Sequence, residues 1–386
     1  MKLARPLVVV GDVHLTHGGR RETGQALARL VEQSSGAEVV LNGDVFNLSL
    51  DPKERDPIES ILTMLGPHEE LRTRLRQKLS DGHPVTLVPG NHDADVVRDG
   101  TRDALLAWLE LGPHAPFEVV PWLVRRGGVH VEHGHVYDPD NAPTHPLVPP
   151  AASTEPLGVA LTRRFLAPNQ AFDFAHATEI TPVDALQRAY KAFGAKMPLV
   201  LGRYFTESGG FVRSARWRPE LLAEQRAGNL KMSEAAKAAG LDEAVLRALD
   251  DDRPRPTHES FERAFFRLYF DRVVATVSVG AGTVFGLMAR SGSLIGIGAL
   301  GALYLYQSSR RGTNRYEGLP VKRLRAAAER VRELSHAELV IFGHTHVPES
   351  FPGYLNPGSF TYRGGAAGRP YAFVDETGHA ERRTIE

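Results

Sequence analysis

Hydrophobic and polar positions divide the chain into three stretches with different rhythms. In the first ~140 residues, short apolar runs at Leu7–Val10, Glu38–Leu41 and Val85–Val88 end in Gly/Asn/Asp turns, as buried strands do. Helical spacing separates them around Glu22–Gln33 and Ile58–Lys78, and a third helix is predicted over Arg102–Leu111. Strands then follow one another at Phe117–Val120 and Trp122–Val124, and a Gly127-Gly128 turn leads to Val129–Glu132. The strand rhythm returns near the end at Glu338–Phe342 and Tyr354–Leu355, with a hairpin predicted through Glu376-Thr377-Gly378. Alternating strands and helices followed by strand-rich segments predict an α/β fold, with sheets covered by helices.

Between these stretches the pattern turns helical. Pro143, Pro146, Pro149 and Pro150 open it, helices are expected around Leu157–Leu166, Pro182–Phe193 and Met232–Leu249, and Asp250–Pro256 reads as a linker. The cadence of Ser233–Leu249 fits two ordinary helices with a glycine turn better than a DNA-binding helix-turn-helix. Residues 273–307 stand apart, with Arg290 as the one charge in 35 residues. Split near Arg290-Ser291-Gly292, each half makes about 24 Å of helix against a hydrocarbon core of roughly 30 Å. Gly282 and Gly286, and Gly292 and Gly296, have the spacing that lets helices approach closely in lipid. Arg263, Arg267 and Arg272 precede the stretch, and Arg310, Arg311 and Arg315 follow it. Both ends are therefore expected on the cytoplasmic face of a membrane, with the hairpin in contact with lipid. The competing expectation is a buried helical pair at a soluble oligomer interface.

Composition narrows the chemistry. The 386 residues carry 46 basic and 46 acidic side chains, so no overall charge points to nucleic acid. The absence of cysteine excludes disulfides and thiolate-held metals. No secretory signal precedes the first strand, so a cytoplasmic catalytic part is expected. Sixteen histidines, several beside acidic residues, are the first hint of metal chemistry.

Five polar segments follow predicted strands: Gly11-Asp12-Val13-His14, Gly43-Asp44, Gly90-Asn91-His92-Asp93, Glu132-His133-Gly134-His135 and Gly343-His344-Thr345-His346. Strand ends are where open α/β sheets bind their ligands. Carboxylates, an amide oxygen and neutral imidazoles are the donors that a pair of divalent ions about 3.5–4 Å apart requires. Asp12 and His14 reach one ion from a single extended loop, and His344 and His346 share their spacing.

With these motifs, and the trailing Asn356-Pro357-Gly358-Ser359, the chain resembles the calcineurin-like metallophosphoesterases over its first ~140 and last ~50 residues. The resemblance implies a four-layer α/β/β/α sandwich, with core segments at 1–142 and 336–386 and an all-α insertion at 143–335. It also implies one metal on Asp12, His14, Asp44 and His346, and a second on Asp44, Asn91, His133 and His344. Manganese is the first expectation, with iron, zinc or cobalt as alternatives. A bridging hydroxide would attack phosphorus while His92 serves the leaving oxygen. Family members often carry a second aspartate where this chain has Asn47, which is expected to hydrogen-bond His92 without charge. His17, Arg20 and Arg21 are candidates to grip phosphate, and His135, Asp138, Asp140 and Asn141 to line the site. The large insertion after His133 is distantly similar to the lid of UDP-2,3-diacylglucosamine pyrophosphohydrolases, which implies a lipid-linked phosphodiester or pyrophosphate. A nucleotide or nucleic-acid phosphodiesterase or phosphatase and a catalytically silent membrane-tethered scaffold are the alternatives. Arginines clustered beside the apolar stretch, and the complete set of ligand types, weigh against them.

Overall fold

The computed structural model describes residues 2–19, 21–169, 182–216, 218–310, 319–362 and 367–386. They form two compact units. One comprises residues 1–163, 218–256 and 320–386, and the other comprises residues 164–217 and 257–319.

The first unit holds eleven strands: β1 (Leu7–Val10), β2 (Glu38–Asn42), β3 (Val85–Val88), β4 (Phe117–Val119), β5 (Leu123–Arg126), β6 (Val129–Glu132), β7 (Leu339–Ile341), β8 (Glu349–Phe351), β9 (Tyr354–Asn356), β10 (Arg369–Val374) and β11 (Ala380–Ile385). Six form one sheet in the order β11-β10-β1-β2-β3-β4, parallel from β1 to β4 and antiparallel at β10 and β11. Five form a second in the order β5-β6-β7-β9-β8, with β6, β7 and β9 parallel. Side chains alternate across each strand, so successive residues join different cores. Val8, Val10, Val39 and Leu41 pack against the helices Arg21–Gln33, Pro57–Leu65 and Glu69–Ser80. Leu7, Val9 and Val40 pack with Val129, Val131, Leu339 and Ile341 of the second sheet. Burial on both faces explains why these strands read as unbroken apolar runs.

The helix expected over Ile58–Lys78 is two helices, ending at Leu65 and restarting at Glu69. Gly66 still has helical backbone, with φ of −49° and ψ of −41°, and the run breaks at Pro67, which lacks an N–H and whose ring crowds the carbonyl four residues back. Strand β8 carried no sequence signal of its own and pairs with β9 at the sheet edge.

The stretch drawn from the sequence as one insertion, 143–335, is shared between the two units. Met232 and Ala236 of the helix Pro219–Ala239, Leu246 and Leu249 of Glu243–Asp251, and Leu324, Ala328 and Val331 of Leu319–Ser335 share a core with Val340, Phe342 and Tyr354. Gly240, with φ of +64°, ends the first of these helices and Asp242 caps the second, so Ser233–Leu249 is a packed helical pair of the first unit.

In the second unit the apolar stretch folds into the antiparallel helices Phe270–Met288 and Gly292–Arg310. Each has 19 residues, about 28 Å of helix, longer than expected because helical structure runs past the apolar run at both ends. A Cβ on Gly282 would lie 2.7 Å from the Gly298 nitrogen, and one on Gly301 2.7 Å from the Ala275 carbonyl. The close seam therefore uses Gly282 and Gly286 with Gly298 and Gly301, while Gly292 and Gly296 face open space. At the other end of the pair the Tyr304 hydroxyl donates to Asp271, and Arg272 Nε donates to Ser308 Oγ at 3.1 Å. Phe270–Met288 is long and apolar enough to cross a bilayer. Arg311 and Arg315 lie outside the described residues.

Candidate metal centre

All five polar segments sit directly after strands β1, β2, β3, β6 and β7, at their carboxyl ends. The loops are laced together by backbone: Asp12 N–H donates to Gly43 O at 3.0 Å and His14 N–H to Asp44 O at 2.8 Å. Two glycines are required by close approach. A Cβ on Gly90 would stand 2.1 Å from Asp44 Oδ1, and one on Gly43, whose φ is +75°, would stand 2.4 Å from the His133 ring. Asp12, His14, Asp44, His344 and His346 all hold positive φ, between 49° and 68°. Left-handed backbone is costly away from glycine and collects where function demands a particular side-chain aim.

Those backbones bring the side chains into one pocket. His14 Nε2 and His346 Nε2 face each other at 3.2 Å, and His346 Nε2 is 3.0 Å from Asp12 Oδ1. His133 Nε2 is 3.2 Å from Asp44 Oδ2, its ring held by a contact of 2.9 Å from Nδ1 to Asn42 O. Two sets have donor atoms close enough for one cation each: Asp12, His14 and His346, and Asp12, Asp44 and His133. Asn91 Oδ1 meets His344 Nδ1 at 3.0 Å, and the His344 and His133 rings lie 5.5 Å apart. The arrangement fits a cation rather than an internal hydrogen-bond network. Asp12 Oδ1 and His133 Nε2 are fully buried, lie beside opposite partners, and make no aligned hydrogen bond.

Electrostatics agree. Burial pushes the Asp44 carboxyl up, but the imidazoles of His133, His92 and His14 bring it well below the usual carboxylate range. Burial pulls His133 down, yet Asp44 and Asp12 overcome it and hold the imidazole up at about 10, so a cation bound there would have to displace that proton and take its place between the carboxylates. His14, desolvated and facing other imidazoles, falls to about 3 and is neutral, as a ligand must be.

Residues around the centre depart from the sequence reading in several places. Asn47 does not reach His92 directly. Ser49 stands between them, its hydroxyl donating to Asn47 Oδ1 at 2.6 Å and meeting His92 Nδ1 at 2.6 Å. His17 is held by Asp51 at 2.8 Å, Arg21 is exposed at the start of its helix, and Arg20 lies outside the described residues. His135 is buried beside His133, at 5.5 Å between rings. Asp138 Oδ2 meets His344 Nε2 at 3.1 Å and accepts from Asn141 Nδ2 at 2.8 Å, while Asn141 Oδ1 accepts from Asn91 at 3.2 Å. Asn356 Nδ2 donates to Gly343 O at 2.8 Å, and Ser359 Oγ to Asp12 O at 3.1 Å, so the Asn-Pro-Gly-Ser turn braces two ligand loops.

Asp93 was the residue whose role the motif concealed. It accepts backbone N–H bonds from Gly90, Asp44, Val45 and Phe46 at 2.6–3.2 Å. Burial pushes its carboxyl up to about 7, with Asp44 adding to the rise and the N–H donors opposing it. Asp93→Ala strands four buried donors. At about 1–3 kcal/mol each before relaxation, a loss of at least ~3 kcal/mol is expected by chemical denaturation. Asp93→Asn, which keeps one acceptor oxygen, should lose less. Equal stability of wild type and Asp93→Ala would refute this bracing role.

Residues 5–175 match the family model of the calcineurin-like phosphoesterases. A search of the curated proteins returns no match. The matched range holds the first four ligand segments, and β7 delivers the fifth, with His344 and His346, to the same pocket. The chain carries a calcineurin-like phosphoesterase domain, and its chemistry is the metal-dependent hydrolysis of phosphoesters.

Proposed function

We propose that this enzyme hydrolyses a lipid-linked or membrane-associated phosphodiester or pyrophosphate, with its helical hairpin lodged in the bilayer. The hairpin's outward face carries the proposal. Val277, Phe285, Leu287 and Leu303 are exposed, with Leu300 at 67% and Met288 at 77%. Apolar surface of this kind costs roughly 25 cal/mol per Å² in water and is relieved by lipid. Two helices of about 28 Å match a hydrocarbon core of roughly 30 Å. Arg263, Arg267, Arg272 and Arg310 at the open end suit anionic headgroups, which favours the cytoplasmic face.

In this reading Asp12, His14 and His346 hold one divalent ion, and Asp44, His133, Asn91 and His344 the other, with Asp44 reaching both. Manganese is the first choice, and iron, zinc or cobalt suit the same donors. When bound, such a pair supplies a water acidic enough to attack near neutral pH and offsets charge on the phosphoryl oxygens. The protein's own groups do the rest: Asp138 and Asn42 aim His344 and His133, and His92 faces the leaving oxygen.

The test is hydrolysis by detergent-purified, manganese-loaded protein of a UDP-linked acyl sugar, phospholipid diesters, nucleotide diesters and a monoester. Turnover confined to acylated substrates supports the proposal, and equal turnover of soluble nucleotide diesters sinks it. A chelator should lower the melting temperature, and manganese at a hundred times its Kd should restore about 2.7 kcal/mol. Thermal unfolding indifferent to both would mean that the folded protein holds no cation there.

A further inference from the structure

We infer that Ser49 is a positioning residue for His92, a hydroxyl link through which the amide of Asn47 sets the orientation and tautomer of that imidazole. The inference rests on the reading above that His92 acts at the leaving oxygen.

Ser49 is fully buried in the short 3-10 turn Leu48–Leu50, between the Asp44 loop and the rest of the fold. The turn is tied to the loop it serves: Leu48 N–H donates to His92 O at 3.1 Å, and Asn47 N–H to Leu15 O at 2.9 Å. Backbone thus fixes Ser49 against the peptide that carries His92, before any side chain is considered. A serine hydroxyl has one proton and two acceptor lone pairs. Its proton goes to Asn47 Oδ1 at 2.6 Å, so toward His92 Nδ1, also at 2.6 Å, it offers a lone pair. The imidazole must therefore carry its proton on Nδ1. Nε2, on the opposite side of the ring, is left to take up a second proton from solvent and pass it to the leaving oxygen. His92 is further confined by its backbone N–H, which donates to Asp44 Oδ1 at 2.8 Å, and by the His14 ring at 5.3 Å. Asn47 alone does not span the gap to the ring. The serine two residues on supplies the missing reach, and it does so without placing a charge beside the imidazole.

Without the hydroxyl, Ser49→Ala leaves Nδ1 and the Asn47 oxygen without partners, and the ring loses its aim. Loss of such an orienting group typically costs 10–100-fold. If His92 serves the leaving oxygen, that loss depends on the leaving group, which a merely structural defect would not produce. The experiment compares a phenyl and a p-nitrophenyl phosphodiester on manganese-loaded wild type, Ser49→Ala, Ser49→Thr, Asn47→Ala and His92→Gln, with metal content measured for each. Expected are a kcat loss of about 10–100-fold on the phenyl ester with KM little changed, and a clearly smaller loss on the p-nitrophenyl ester. Ser49→Thr should restore most of the activity, and adding Asn47→Ala to Ser49→Ala should cost little more. A leaving-group dependence in His92→Gln but none in Ser49→Ala overturns the link while leaving His92's role intact. A flat His92→Gln overturns that role, and the link with it. Should Ser49→Ala fail to fold, ¹⁵N shifts of His92 in wild type, assigned against His92→Gln, decide the matter. A proton on Nδ1 supports the link, and a proton on Nε2 with Nδ1 bare overturns it.

Discussion

Asp44→Asn is expected to leave a folded protein whose hydrolytic activity falls by at least about a thousandfold. The substitution keeps the shape of the side chain, and one oxygen remains to accept from the His92 backbone N–H, now at 2.8 Å. It removes the negative charge that faces His133 at 3.2 Å and His14 at 4.0 Å. Breaking one partner out of a buried charge pair costs about 3–5 kcal/mol. Here that cost falls on cation affinity, since Asp44 is the carboxylate offered to both proposed ions. Each 1.36 kcal/mol is a factor of ten in rate, so 4 kcal/mol corresponds to about a thousandfold. Metal content and turnover should be measured on the same preparation. Activity within about tenfold of wild type would mean that Asp44 does not hold the reacting centre. The catalytically silent scaffold would be favoured if wild type itself binds metal and hydrolyses nothing.

The second large effect belongs to the hairpin. Phe285→Asp and Leu300→Asp together place charges on two exposed positions of its apolar face, one on each helix. A charge at the centre of a membrane helix costs about 2.5–3.5 kcal/mol on an insertion scale. Two at these sites should weaken binding to anionic vesicles by two orders of magnitude or more, read by flotation. Hydrolysis of a soluble aryl phosphodiester by the catalytic unit should be nearly unchanged, because neither side chain belongs to the metal centre. If the variant still floats with vesicles as wild type does, lipid is not what covers the face. If it becomes monomeric where wild type is an oligomer, the face is a contact between copies.

Much of the catalytic architecture was legible because chemistry and periodicity are local properties. An apolar run ending in Gly-Asp or Gly-Asn-His states both a strand and a polar turn, and five such segments in order point to a cation pocket. Donor types alone separated oxygen and imidazole ligation from thiolate chemistry. The hairpin was visible for the same reason, since 35 residues with one charge need no tertiary information to be recognised.

Partners far apart in the chain were not legible. That Ser49 intervenes between Asn47 and His92 follows from how a short turn lies against the β3 loop, and hydroxyls carry no pattern in sequence. Asp93 is just one more polar residue of the third segment until four backbone donors are seen to converge on it. His344 meets Asp138 across 206 positions, a pairing that only sheet register and loop closure decide. On the hairpin, spacing offered Gly292 and Gly296, whereas helix rotation placed Gly298 and Gly301 in the seam. The helices Pro219–Ala239 and Leu319–Ser335 belong to the catalytic unit because their apolar faces find Val340 of β7 and Phe342 just after it. Residue type and spacing thus determined which chemistry and which elements this chain would have. Which side chains meet was decided by tertiary packing, because burial rewards any complementary apolar face and sequence does not mark which one lies opposite.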